Sequence, residues 1–385
     1  MMYKKRVVFW AACAGMLLFG ISIITLGSVA TELRDKLKLD EIAAGTLFSI
    51  LPIGVLTGSL LFGPIVDKHG YKVLLAISCI FMFIGFEGIA FAPSAGLLKI
   101  YIYLFGFGGG AVNGATNALV SDISEKGKGA NLSLLGVFYG LGALGMPLVS
   151  GILEKRFNYE VMLGGVGFLA LAAGIFFIII KFPPPKQTQG VPLRQTLSLF
   201  KDSVLILIGF FLFLQSGFEG IINNWTTTYL IEEQSVPANN ALYALSSFVA
   251  GLTVMRLLIG SVFREVSVRK LLFSSFGLII IGLALLKAAF SFNLDIAGFI
   301  ILGAGLAAGF PAMLGLAGSR YPDLSGTAFS FVFVLAMVGN MLINYGTGII
   351  AQNFGIRHLI TIAFAECIIM ILLFVIILKK LKTKN

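Results

Sequence analysis

Glu219 lies inside a long apolar stretch, with Gln215 four residues before it and Asn223 four residues after it. Residues four apart share a helix face, so these three would line one stripe. Trp225 and Tyr229 are also four apart and form an aromatic stripe, with Asn224 beside them. Carboxylate and amide groups bind hydroxyls in pairs, and aromatic rings cover C–H faces. The combination suits a small polyhydroxylated ligand. Glu219 is also the expected proton carrier, because loss of water favours a neutral carboxyl. Asn113, Asn117, Tyr139, Asn340 and Asn344 are further polar residues within apolar stretches and candidate ligand contacts. The competing reading of these amides is bonding between helices, worth ~0.6 kcal/mol each. Arg256, Glu87 and Glu366 are the other ionisable groups at such positions. Arg256 is a partner for Glu219, whereas Glu87 and Glu366 suit helix pairing.

Other chemistries find little support. The two histidines, His69 and His358, stand in separate loops with no nucleophile or metal-ligand spacing around them. Cys13, Cys79 and Cys367 lie in apolar stretches and form no disulfide framework. A membrane-embedded enzyme is therefore disfavoured, and neither a metal nor a cofactor is expected.

The elements that position these residues follow from solvent. The 385-residue chain is 58% hydrophobic and 12% charged, far below the charge of a soluble domain. One core cannot bury that much apolar surface, so most of it faces lipid. The apolar runs have the ~20-residue length of a spanning helix and lack the alternation of a membrane strand. Twelve spans are predicted at 7–30, 41–66, 70–92, 96–122, 128–154, 159–182, 203–231, 239–263, 268–290, 294–319, 325–353 and 357–378. The first is too long for a signal-peptide core and is read as retained.

The net charge of +10 has an explanation in orientation. With the N-terminus inside, nineteen of the 28 Lys and Arg fall in cytoplasmic segments and eight outside, with Arg256 in a span. This bias places both termini in the cytoplasm, and no nucleic-acid partner is expected.

Pro183, Pro184 and Pro185 open a polar stretch that divides the chain into a bundle over 1–182, a cytoplasmic linker over 183–202 and a bundle over 203–385. The halves match at an offset of 197: Gly63 with Gly260, Lys72 with Arg269, Gly106 and Gly108 with Gly303 and Gly305. Such a duplication implies a pseudo-two-fold axis along the membrane normal and a substrate site near the midplane.

The second-to-third loop reads Gly63-Pro64-Ile65-Val66-Asp67-Lys68-His69-Gly70-Tyr71-Lys72. It resembles the G-x-x-x-D-[RK]-x-G-x-[RK] motif of the major facilitator superfamily. The resemblance implies an all-α membrane protein with twelve transmembrane helices in two pseudo-symmetric six-helix bundles. It also implies a cytoplasmic gate in which Asp67 faces a helix N-terminus, with Lys68, Gly70 and Lys72 anchoring the loop and Arg256 as a further gating residue. The second copy departs, with Arg264 at the position of Asp67.

Asn117-Ala118-Leu119-Val120, Phe138-Tyr139-Gly140, Gly217-Phe218-Glu219-Gly220 and Ser319-Arg320-Tyr321-Pro322 resemble the fucose permease-like sugar:proton symporters. That resemblance implies transport by alternating access in a bacterial cytoplasmic (inner) membrane. The expected partners are a small-molecule substrate, such as a sugar with a proton, and membrane lipid, and the expected state is a monomer. The group usually has acids in the first and fourth spans. Here the first span has none, and Asn113 stands where the fourth-span acid is expected. Uncoupled facilitation therefore remains an alternative. So does export of metabolites or drugs, since Gly140, Gly142, Gly145, Pro147 and Gly151 loosely resemble an exporter motif.

Overall fold

The computed structural model describes residues 3–38, 41–153, 156–186, 199, 201–288 and 291–382. Among the described residues all regular structure is helical, and twelve helices are long and apolar enough to cross a membrane. In hydrocarbon each backbone group needs a partner within its own segment, which a helix supplies. The helices are α1 (Lys5–Ser28), α2 (Ala30–Leu37), α3 (Glu41–His69), α4 (Tyr71–Phe91), α5 (Ala95–Ile123), α6 (Lys128–Leu153) and α7 (Tyr159–Ile179). They continue with α8 (Ser203–Gln234), α9 (Ala238–Ser261), α10 (Val268–Ala288), α11 (Phe292–Leu306), α12 (Gly309–Arg320), α13 (Ser325–Phe354) and α14 (Leu359–Lys382). Most of the predicted linker, including Arg194, lies outside the described residues.

Polar caps set several boundaries. The Asp202 carboxylate accepts from Val204 N at 2.7 Å and Leu205 N at 3.3 Å and so starts α8. Ser235, in the left-handed conformation at φ 54°, ends it. The tenth span differs from the single helix predicted over 294–319. It is two helices, α11 and α12, broken at Ala307 and Ala308. Pro311 follows the break and explains it: proline has no N–H, and its ring clashes with the carbonyl four residues back.

The chain folds into two compact units. The first comprises 1–125, 138–196 and 321–330; the second comprises 126–137, 197–320 and 331–385. Each unit thus takes in a short segment from the other half of the sequence.

Within each unit, close helix contacts repeat at the 197-residue offset. A Cβ on Gly54 would lie 2.5 Å from the Tyr103 carbonyl, and one on Gly251 would lie 2.2 Å from that of Ile300. A Cβ on Gly106 would lie 2.6 Å from the Leu51 carbonyl, and one on Gly303 would lie 2.1 Å from that of Phe248. A Cβ on Gly108 would lie 2.6 Å from the Ser78 carbonyl, and one on Gly305 would lie 3.0 Å from that of Ser275. Every partner pair is also 197 apart. These glycines let α3 reach α5 in one unit and α9 reach α11 in the other, closer than any side chain would allow.

Candidate functional site

In the second unit, α8 carries the polar stripe. Gln215 is 1% exposed, and its amide nitrogen has two acceptors. It donates to Glu219 Oε1 at 3.0 Å and to the Leu306 carbonyl at 2.9 Å. The second acceptor is the last residue of α11, where the break frees a carbonyl that would otherwise bond within the helix. Gly309 makes room for this side chain, since a Cβ there would lie 2.2 Å from Gln215 Oε1. The i−4 relation between Gln215 and Glu219 was readable in the sequence. The Leu306 carbonyl was not, because it lies 91 residues away on another helix.

Arg256 on α9 approaches the same carboxylate. Its Nη2 stands 3.7 Å from Glu219 Oε1, an ion pair longer than a hydrogen bond. The arginine side chain is 9% exposed and the glutamate 23%. Gly136 on α6 accommodates the arginine: a Cβ there would lie 3.1 Å from Arg256 Cδ. Arg256 Nε is buried with no hydrogen-bond partner among the described residues. No described residue donates to the second glutamate oxygen, Oε2. One edge of the carboxyl is thus held by Gln215 and Arg256, and the other is open.

The remaining amides of the stripe make specific contacts. Asn223 turns its amide back to the Glu219 carbonyl at 2.7 Å. Asn224 donates to Asn344 Oδ1 at 2.9 Å, Asn344 to the Asn340 carbonyl at 2.8 Å, and Asn340 to the Ser216 carbonyl at 2.8 Å. This ladder knits α8 to α13. Gly220 permits it, because a Cβ there would lie 2.4 Å from Asn344 Nδ2. Trp225 is half-buried and packs over Gly348, where a Cβ would be 3.4 Å from the indole. Tyr229 is buried ten residues further along α8, about 15 Å from Glu219 at the helical rise. It is nearer the end of the helix, where Gln234 donates to Asp295 Oδ1 at 3.2 Å.

In the first unit, Asn113 and Asn117 are both 6% exposed. Asn117 Nδ2 donates to the Asn113 carbonyl at 2.9 Å and to its Oδ1 at 3.1 Å. Tyr139 stacks at a tilt on Phe19, with ring centroids 5.6 Å apart. The Tyr139 carbonyl faces Gly20, where a Cβ would be only 2.2 Å away. Glu87 lies against Gly167 of α7, 2.8 Å from where a Cβ would stand, and Glu366 on α14 is 6% exposed.

The loop motif has a partner in this unit. Asp67 is fully buried and accepts from Thr327 N at 2.8 Å, Thr327 Oγ1 at 2.7 Å and Gly326 N at 3.2 Å. These donors belong to the first turn of α13, so the carboxylate caps that helix and meets its positive end. Gly70, at φ +79°, makes the turn into α4. Lys68 and Lys72 are exposed. A second cluster beside it had no sequence signal. Lys186 Nζ donates to Asp122 Oδ1 at 2.7 Å and to Ser325 Oγ at 2.5 Å, and Tyr71 also donates to Asp122.

The sequence profile of the Major Facilitator Superfamily matches residues 11–339. An uncharacterized transporter of Sinorhizobium fredii, y4wD, is 24% identical over 343 residues, covering 88% of this chain and 90% of the relative. The multi-drug resistance efflux pump PmrA of Streptococcus pneumoniae is 25% identical over 348 residues, covering 84% and 83%. Among solved structures, the fucose:proton symporter FucP of Escherichia coli superposes with a TM-score of 0.77 at 17% identity, covering 94% of this chain and 97% of that one. Twelve spanning helices, a buried loop-motif aspartate on a helix N-terminus and a profile match over most of the length agree: the chain belongs to the major facilitator superfamily and is an integral membrane transporter.

Proposed function

We propose that this transporter moves a sugar or similar polyhydroxylated solute by alternating access, coupled to a proton carried on Glu219. The observation that carries this reading is the half-held carboxyl. Glu219 Oε1 is fixed by Gln215 at 3.0 Å and faces Arg256 at 3.7 Å, while Oε2 has no described donor. When ionised, the carboxylate balances Arg256 and accepts from a substrate hydroxyl. When protonated, it can donate a hydrogen bond, and the buried guanidinium loses its counter-charge. One proton thus changes both the hydrogen-bonding sense and the charge of the site. Trp225 beside the stripe supplies an apolar face. The fold likeness to FucP, itself a fucose:proton symporter, is consistent with this.

Within this reading Asp67, with Lys68, Gly70 and Lys72, forms a gate on the cytoplasmic side. The protein works as a monomer in a bacterial cytoplasmic membrane with both termini inside, without nucleic acid, and carries rather than converts its substrate. The resemblance to PmrA favours a second reading, drug export. Uptake of labelled L-fucose and D-xylose into proteoliposomes with an imposed pH gradient separates the two. Accumulation above equilibrium that is lost in Glu219→Gln supports sugar symport. Full accumulation in Glu219→Gln rules out the coupling role, and movement of apolar cations alone supports export.

A further inference from the structure

The internal repeat separates what the fold needs from what the polar site adds. At the 197-residue offset, Glu219 corresponds to Ser22 and Arg256 to Ser59. Both serines are buried, and Ser22 Oγ donates to the Phe19 carbonyl at 2.7 Å. The same close glycine contacts join α3 to α5 in one unit and α9 to α11 in the other. The first unit therefore packs with neutral groups where the second holds two opposite charges. Charges within a span are costly, so packing alone does not account for the pair.

The pair is also loosely made. Arginine carries five N–H donors, and buried donors need acceptors. Among the described residues Arg256 donates no hydrogen bond: Nε is buried without a partner, and Nη2 stands 3.7 Å from Glu219 Oε1. A carboxylate docked on a guanidinium stands at about 2.7–2.9 Å. Gln215, itself fixed to the Leu306 carbonyl, holds Glu219 short of that position. Gly136 leaves the guanidinium uncrowded, since a Cβ there would lie 3.3 Å from Nη1 and 3.4 Å from Nε. α8 packs against α9, α12, α14 and the turn Ile356–His358, and bonds to α13. Of the ionisable groups on these elements, Arg320 pairs with Asp202, Arg357 bonds His358, and Tyr243 and Tyr345 are exposed. On α14, Glu366 Oε2 has no described partner, and Lys379 and Lys380 lie at the far end. Arg256 is the charged group that faces Glu219.

We infer that Arg256 receives a carboxylate of the substrate, which makes that substrate, within the polyhydroxylated class, a sugar acid. The assignment rests on the proposal that the α8 stripe binds hydroxyls and that Glu219 carries the proton. The planar guanidinium fork matches a carboxylate in two parallel bonds. The charges balance as well. Before binding, the site holds one positive and one negative charge. The acid adds one negative charge, and the proton taken up by Glu219 cancels it. The guanidinium passes from one carboxylate to the other and keeps a counter-charge throughout. One anion and one proton cross together, so the cycle moves no net charge. A neutral sugar with a proton would move one positive charge and leave the buried guanidinium without a counter-ion.

The test uses the full-length protein with D-gluconate and D-glucuronate as acids and D-xylose and L-fucose as neutral probes. Melting temperature in detergent reads binding. Uptake into proteoliposomes under a pH gradient reads transport, with the membrane potential set at zero or inside-negative by potassium and valinomycin. The acids should stabilise the protein and accumulate equally at both potentials. Their affinity should rise as pH falls from about 8 to about 5.5, a range in which the acids themselves stay ionised. In Glu219→Gln, which mimics the protonated carboxyl, that affinity should be high and independent of pH. Arg256→Gln should weaken acid binding about 30-fold or more, the usual effect of removing one side of a buried charge pair. The double variant Arg256→Met with Glu219→Gln carries neither charge and should lose the acids too, which keeps the test readable if Arg256→Gln does not fold. Arg256-dependent acid binding without pH dependence supports the carboxylate site and removes the proton from Glu219. The inference is overturned, with sugar symport intact, if the neutral sugars stabilise the protein and the acids do not. It is also overturned if the double variant binds the acids like the wild type. If neither acids nor sugars bind, sugar transport falls and the inference falls with it.

Discussion

Gln215 donates to the Leu306 carbonyl at 2.9 Å, joining the polar stripe of α8 to the point where the tenth span breaks. The same amide nitrogen holds Glu219, so the carboxyl at the centre of the stripe and the helix discontinuity share one side chain. Replacement by leucine leaves a buried carbonyl without its side-chain donor and the carboxylate without its support. Gln215→Leu is expected to lower stability by ~1–3 kcal/mol. The check is the melting temperature in detergent, together with loss of gradient-driven uptake.

Gly309→Ala tests the same seam without touching a polar group. Its methyl would enter a space now filled by Gln215 Oε1, 2.2 Å away, and must displace the amide. Uptake should fall as in Gln215→Leu. Gly346→Ala, which meets nothing within 4 Å, is the control. It should leave uptake unchanged and raise stability by ~0.5–1 kcal/mol, the ordinary gain of alanine over glycine in a helix.

The Arg256–Glu219 pair predicts a double-mutant result. Arg256→Met leaves the carboxylate without its cation and should destabilise by ~1–2 kcal/mol. This is below the usual figure for a buried pair, because Glu219 is 23% exposed. Adding Glu219→Gln should restore part of that loss. If the two changes add in thermal denaturation, the 3.7 Å contact carries no coupling.

Asp67 makes three hydrogen bonds at the start of α13, and Thr327 supplies two of the donors. Asp67→Ala should cost ~2–3 kcal/mol by removing a charged cap. Thr327→Val removes the hydroxyl alone and should cost ~1 kcal/mol. Comparable effects of the two substitutions on melting temperature would show that the carboxylate contributes nothing beyond the hydroxyl bond.

The spans and the repeat were legible because each rests on a local or periodic signal. Continuous apolar runs marked the helices, and glycines at matching offsets marked contacts that α3 and α9 do make. The i−4 spacing of Gln215 and Glu219 likewise specified a real bond. Direction was harder to read. Asn223 shares the face of Glu219, yet its amide bonds the backbone of its own helix, and Asn340 and Asn344 are engaged between helices. Spacing places a residue on a face but does not choose among acceptors there. Pro311 signalled the break in the tenth span, but strong hydrophobicity on both sides made it read as one helix. The Lys186–Asp122–Ser325 cluster joins three distant positions and has no local pattern at all.

The first unit is completed by residues 321–330, which carry the donors for Asp67. A chain emerging from the ribosome presents Asp67 long before Gly326 and Thr327 exist. Until about four fifths of the remaining polypeptide is made, that carboxylate has no helix end to cap. Membrane insertion of the early helices therefore precedes their final consolidation, and the nascent protein stays committed but unfinished through the synthesis of eight more spans. Expressing 1–182 alone would arrest it in that state, and supplying 203–385 in trans should release it.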